Sequence, residues 1–124
     1  MRNLLATAAL GFVALTALPA FAADAPQKTV AALYQEQAAL SGRMVSVQGK
    51  VVKANNGIMG RNFVHVQDGS GEAGAGNNNL IVTSQDTAQV GQQVAVSGKV
   101  TLNRDFGSGY TYPLLLEEAS IAVK

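Results

Sequence analysis

The side chains best suited to chemistry fall within a short span of this sequence. His65, the single histidine, lies in Asn55-Asn56-Gly57-Ile58-Met59-Gly60-Arg61-Asn62-Phe63-Val64-His65-Val66-Gln67-Asp68-Gly69, together with a methionine, an arginine and a phenylalanine. Imidazole with a thioether, His65 with Met59 or Met44, is the donor combination that copper favours. His65 alone would serve as a one-sided haem ligand. Arg61 with Phe63, joined by Phe106, Tyr110 and Tyr112 from a second glycine-rich stretch, would suit stacking on a base, a sugar ring or a planar group.

Catalytic constellations are not legible. One histidine with scattered serines and aspartates makes no triad. Glu117 and Glu118 are neighbours, so in a strand they face opposite sides and form no carboxylate pair. Asp68-Gly69-Ser70-Gly71-Glu72 lacks the ligand spacing of a calcium loop and reads as a turn. No phosphate loop or dinucleotide fingerprint occurs. The expectation is a non-enzymatic protein with no cofactor.

Elements must hold those residues in place. Met1-Arg2-Asn3 is a short positive start, Leu4 to Leu18 an apolar run, and Pro19-Ala20-Phe21-Ala22 supplies a small-x-small cleavage pattern. The run is shorter than the ~20 residues a membrane-spanning helix needs. A cleavable signal peptide over 1–22, cut after Ala22, and export to a bacterial periplasm are therefore expected, with no membrane attachment afterwards. Of nine Lys and Arg, only Arg2 leaves with the leader, so eight basic residues face eight acidic ones. A neutral domain gives nucleic acid no global electrostatic support. With no cysteine there is no disulfide, thiolate metal site or covalent haem motif, and the core alone must stabilise the fold.

Residues 23–28 read as a disordered lead-in, and 29–124 as one domain. Thr29 caps a helix running to about Leu40, with Val30, Leu33, Tyr34 and Leu40 on one face. The clearest repeat then follows. Gly42-Arg43-Met44-Val45-Ser46-Val47-Gln48-Gly49-Lys50-Val51 and Gly91-Gln92-Gln93-Val94-Ala95-Val96-Ser97-Gly98-Lys99-Val100 share the pattern Gly-x-x-Val-x-Val-x-Gly-Lys-Val. Alternating valines mark half-buried strands, and the internal glycines mark bends. Shorter strands are expected at Asn62 to Gln67, Leu80 to Ser84 and Tyr110 to about Val123, with Pro113 at an edge or bulge. Gly69 to Asn79 reads as a flexible low-complexity loop, and Asn56-Gly57 as a hairpin turn. Five antiparallel strands, with bent first and fourth members, predict an all-β OB-fold Greek-key barrel carrying a short N-terminal helix; the alternative is an SH3-like barrel.

In that frame Val64 and Val66 point inward. Phe63, His65 and Gln67 then point outward, onto the sheet face between loop Asn55 to Arg61 and loop Asp105 to Gly109. A neighbouring loop or the N-terminal helix would cover Phe63 in the alternative reading.

Gly57 to Gly71, Thr83 to Thr87 and Asp105-Phe106-Gly107-Ser108-Gly109-Tyr110-Thr111-Tyr112-Pro113 together resemble small exported bacterial OB-fold proteins. These are often labelled nucleic-acid-binding, and some (NrfJ-like) are associated with periplasmic nitrite-reduction systems. The resemblance implies a periplasmic binding or accessory module, associated with respiratory or cytochrome-type systems. Its partner would be a periplasmic protein or a small ligand. The candidate ligand-binding residues are Met59, Arg61, Phe63, His65, Gln67, Phe106, Tyr110 and Tyr112. Copper or haem binding through His65 with Met59, and single-stranded nucleic acid or oligosaccharide binding, are the alternatives.

Overall fold

A computed structural model describes residues 25–124. The expected leader over 1–22 and its expected cleavage site lie outside the described residues. Among the described residues, no helix is long and apolar enough to cross a membrane.

In the described residues two short helices, α1 (Val30–Gln35) and α2 (Gln37–Leu40), precede five strands: β1 (Met44–Ile58), β2 (Arg61–Gln67), β3 (Leu80–Ser84), β4 (Gln93–Asp105) and β5 (Thr111–Val123). The expected single helix is thus divided at Glu36, whose φ of −105° departs from helical geometry. Thr29 caps it as expected, its hydroxyl accepting from the Ala32 N–H at 3.1 Å. Two further donors at this N-terminus are satisfied from the loop after β2. Val30 N–H donates to Asp68 Oδ2 at 3.0 Å and Ala31 N–H to Ser70 Oγ at 2.9 Å. The Asp68-Gly69-Ser70 turn therefore clamps the helix to the sheet.

The strands form one sheet that closes into a ring in the order β1-β2-β3-β5-β4. All pairs are antiparallel except β3 with β5, which run parallel. That corrects the expectation of an entirely antiparallel sheet. The ring interior is filled by the alternating apolar residues of all five strands, including Val45, Val47, Val64, Val66, Val82, Val94, Val96, Leu114 and Leu116. Val30, Leu33 and Leu40 of the helices join the same core.

The two copies of the sequence repeat pair with each other. Val47 lies opposite Val96, with Val45 opposite Gly98 and Gly49 opposite Val94, so the copies meet about the Val47–Val96 pair. Their glycines are required by close approach. A Cβ on Gly49 would sit 2.7 Å from the Gln67 carbonyl oxygen and from a Val66 methyl. One on Gly98 would sit 2.9 Å from Ala119 Cβ. Each glycine thus lets its strand press against the next one where the sheet turns.

Three local expectations are corrected. Residues 26–28 of the lead-in are not free, because Ser46 N–H donates to the Pro26 carbonyl at 2.9 Å and Lys28 N–H to the Ser46 carbonyl at 2.8 Å. This lays Gln27 beside β1. The Gly69 to Asn79 loop contains a 3-10 turn at Ala73–Ala75, and Asn77 Oδ1 accepts from Glu72 N–H at 2.8 Å. Finally, β1 continues through Asn56-Gly57 to Ile58, and the two-residue hairpin turn is Met59-Gly60. Met59 and Gly60 have φ of 53° and 78°, the doubly left-handed form that matches strand twist. Asn56-Gly57 instead occupies the register shift between Asn55 and Ile58.

Candidate functional site

Strand alternation places Phe63 on the outer face, opposite Val64 and Val66, but it does not leave the ring exposed. Phe63 is 3% accessible and forms a second apolar cluster with Ile81 and Leu115, against which Phe106 and Tyr112 pack. The expectation of an outward, available Phe63 is corrected on that point, since the β4–β5 hairpin covers it. The Phe106 ring meets Phe63 edge-on at 5.3 Å and Tyr112 edge-on at 5.8 Å. Phe63 and Tyr112 lie 5.8 Å apart at a 37° tilt. These are favourable quadrupolar arrangements rather than open stacking faces.

Tyr112 joins this cluster opposite a left-handed residue of β4. Asn103, left-handed at φ 53°, falls between the Leu102–Leu114 and Arg104–Tyr112 pairs. Leu114 faces the core, yet Tyr112, two residues before it, packs on the outer cluster.

Two arginines hold the lid. The Arg104 guanidinium lies 4.4 Å and that of Arg61 5.2 Å from the Phe106 ring centre. Both also approach Glu117, with Arg104 Nε at 3.1 Å and Arg61 Nη1 at 3.6 Å from its Oε2. Arg61 was legible as a candidate. Arg104 and Glu117 were not, because their pairing depends on neighbouring strands rather than on local spacing.

Beside the lid, the tips of the two hairpins leave a small cleft of about 130 Å³ lined by Asn55, Ile58, Met59, Phe63, Tyr110 and Tyr112. Four of the eight candidate residues line it directly: Met59, Phe63, Tyr110 and Tyr112. Phe106 and Arg61 support it from behind. Ile58, Met59 and Tyr110 are 41%, 45% and 53% accessible, which makes its rim apolar and exposed. Met59 stands in the left-handed region, where an unbranched side chain is strained and glycine or asparagine is cheaper.

The other two candidates lie elsewhere. His65 pairs across the strands with Lys53 and Ile81. Its Nδ1 is 3.2 Å from Asn79 Nδ2. Asn79 Oδ1 accepts from Gln67 Nε2 at 3.4 Å. This orients the Asn79 amide so that it donates to Nδ1, which leaves the imidazole proton on Nε2. Burial, and then the charge of Lys53, push the His65 pKa below its usual value, so the ring is neutral at pH 7. Gln67 lies at the end of β2 beside a wide polar hollow of about 710 Å³.

His65 and Met59 are not brought together as a metal pair. Four residue steps of extended strand separate His65 from Arg61, about 13 Å, and Met59 lies further on, in the turn. Met44 pairs with Lys99 at the start of β1. Among the described residues, no three His, Cys, Asp or Glu side chains group as metal ligands. The polar hollow and a second one of about 460 Å³ beside Arg61 and Glu118 exceed the cleft in volume. Neither has an aromatic lining, so the cleft is preferred on chemistry rather than size. No family model matches the sequence, and no curated protein matches it.

Proposed function

We propose that this protein is an exported, non-enzymatic binding module of OB-fold type, and that its hairpin tips grip one apolar side chain of a periplasmic partner protein. The observation that carries the reading is the cleft between Met59 and Tyr110. At about 130 Å³ it is near the ~150 Å³ of a cavity that holds a benzene-sized ring. It is well below the ~300 Å³ at which pockets for drug-sized ligands begin. One aromatic or long aliphatic side chain fits it, whereas haem or a nucleoside does not.

The strain at Met59 supports the same site. A bulky residue kept at positive φ at a turn tip suggests selection for its side chain rather than for the turn. The OB-type assignment is supported by the closed strand order, the parallel β3–β5 pair and the glycine-bent β1 and β4. Export rests on the leader pattern of residues 1–22, and the link to respiratory systems on the family resemblance alone. Stacking on nucleic acid is disfavoured because Phe63 is buried and both arginines beside Phe106 are drawn to Glu117.

The test is photo-crosslinking in the periplasm of the producing cells, with a photoreactive residue placed at position 59, 110 or 90. Val90 is exposed on the β3–β4 link, away from the cleft. The expected result is one discrete adduct from positions 59 and 110 and none from 90. Equal labelling from all three, or no adduct from 59 and 110, overturns the reading.

A further inference from the structure

Asn56-Gly57 is the only Asn-Gly pair in the sequence, and in the folded protein it does not form the hairpin turn. Both residues are exposed, at the register shift between the Asn55–Phe63 and Ile58–Arg61 pairs. Gly57 has φ of 73°, and a Cβ there would meet nothing within 4 Å. The Asn56 side chain is exposed, and the peptide nitrogen that follows it, that of a glycine, is the least hindered kind.

That nitrogen is nevertheless engaged. Gly57 N–H donates to Asn62 Oδ1 at 2.9 Å. Asn62 is itself buried, and its Nδ2 donates to the Asp86 carbonyl at 2.9 Å and, more distantly, to that of Gln85 at 3.4 Å. Asn62 thus ties the bulge to the β3–β4 link and holds the Gly57 nitrogen on its proton.

We propose that Asn56 is a site of spontaneous deamidation in the folded protein, and that Asn62 governs its rate. The Gly57 nitrogen loses its proton to solvent base and attacks Asn56 Cγ. A new bond from that nitrogen to Cγ closes a five-membered succinimide, the bond from Cγ to Nδ2 breaks, and ammonia leaves. Water then adds to either ring carbonyl and opens it, giving aspartate or isoaspartate. The protein loses ammonia and gains water, with no other reactant. The bond to Asn62 opposes the first step, because it stabilises the protonated nitrogen and must break before attack.

The product places a carboxylate, and in the isoaspartyl form one extra backbone carbon, three residues before Met59. Asn55, the neighbouring residue, lines the cleft. Weakening of the cleft by this change rests on the binding reading above; the reaction itself does not.

Trypsin releases residues 54–61 between Lys53 and Arg61, so conversion is read by mass spectrometry and by enzymatic isoaspartyl methylation. Folded wild type, urea-unfolded wild type, Asn62→Ala and Asn56→Gln would be incubated together at mildly alkaline pH. We expect isoaspartate at position 56 in the first three and none in the fourth. The folded wild type should be slowest, and Asn62→Ala faster than it by about three- to tenfold, the effect of one ordinary hydrogen bond. Equal rates in folded wild type and a folded Asn62→Ala overturn the gating. An intact Asn56 in folded wild type, once the unfolded protein has converted, overturns the site. Should Asn62→Ala fail to fold, hydrogen exchange at the wild-type Gly57 amide decides instead. Protection above that of Gly60 is expected, and exchange as fast as at Gly60 overturns the role of Asn62.

Discussion

Replacing Met59 with asparagine should make the protein more stable and a worse binder. Met59 and Gly60 form a two-residue turn with both φ values positive, and asparagine followed by glycine is the sequence this turn prefers. An L-residue in the left-handed region carries a penalty of ~1–2 kcal/mol, much of which asparagine avoids. No core contact opposes the change, since Met59 is 45% accessible and outside both apolar clusters. The net gain should be about 0.5–1 kcal/mol, and for a domain of this size that is a rise in Tm of roughly 2–8 °C. Partner binding should move the other way. Burying a methionine side chain contributes about 1.5–3 kcal/mol, so its loss weakens the complex by tenfold or more. Calorimetry and a binding titration with the crosslinked partner read the two effects separately. A destabilised Met59→Asn would refute the strain argument, and unchanged affinity would refute the role given to Met59.

Three other perturbations probe the parts that position the cleft. Phe106→Ala should remain folded, lose about 2 kcal/mol and bind a hydrophobic dye at the uncovered Phe63–Ile81–Leu115 cluster; unchanged dye binding would show that Phe106 is not the lid. Burial tends to raise the Asp68 pKa, but hydrogen bonds from the Ser70 hydroxyl and from the Val30 and Ser70 N–H groups together hold it below its usual 3.8. Its contribution is therefore present above pH 3.8 and lost as pH falls through the lower folded value. Asp68→Asn should shallow the acid limb of stability and remove about 1 kcal/mol of capping at pH 7; an acid limb as steep as wild type would count against it. His65, held below 6.5 by burial and Lys53, gives the opposite state of charge but the same direction of loss. The unfolded protein takes up its proton first, so stability declines as pH drops below 6.5, and His65→Gln should flatten that part of the urea-midpoint profile.

Much of this architecture is written locally. The alternating valines of β1 and β4 give both their strand character and their inward face, and Gly49 and Gly98 announce the bends because nothing larger fits there. Leu80–Ser84 is bounded by sequence alone as it is in the fold. What local pattern cannot supply is competition and coverage. Two glycine turns lay within five residues. Asn56-Gly57 has the stronger turn preference, but Asn62 draws Gly57 into a bulge and leaves Met59-Gly60 to make the turn. Alternation gave Phe63 the correct face, while the ring that buries it comes from Phe106, far along the sequence. For the same reason His65 and Met59, close in sequence, are separated by the extended strand between them. The parallel β3–β5 pair likewise depends on long-range closure, to which no period-two pattern is sensitive.

The most direct test of the cleft is an NMR titration of the folded protein, observing backbone amide, methyl and aromatic signals as N-acetyl-phenylalanine amide is added, with N-acetyl-lysine amide as the control. A cleft that grips one apolar side chain predicts saturable shifts from the aromatic compound alone, confined to Ile58, Met59, Tyr110 and Tyr112, and lost in Tyr110→Ala. Saturable shifts centred instead on His65 or on the polar hollow beside Gln67, or none anywhere, would contradict it.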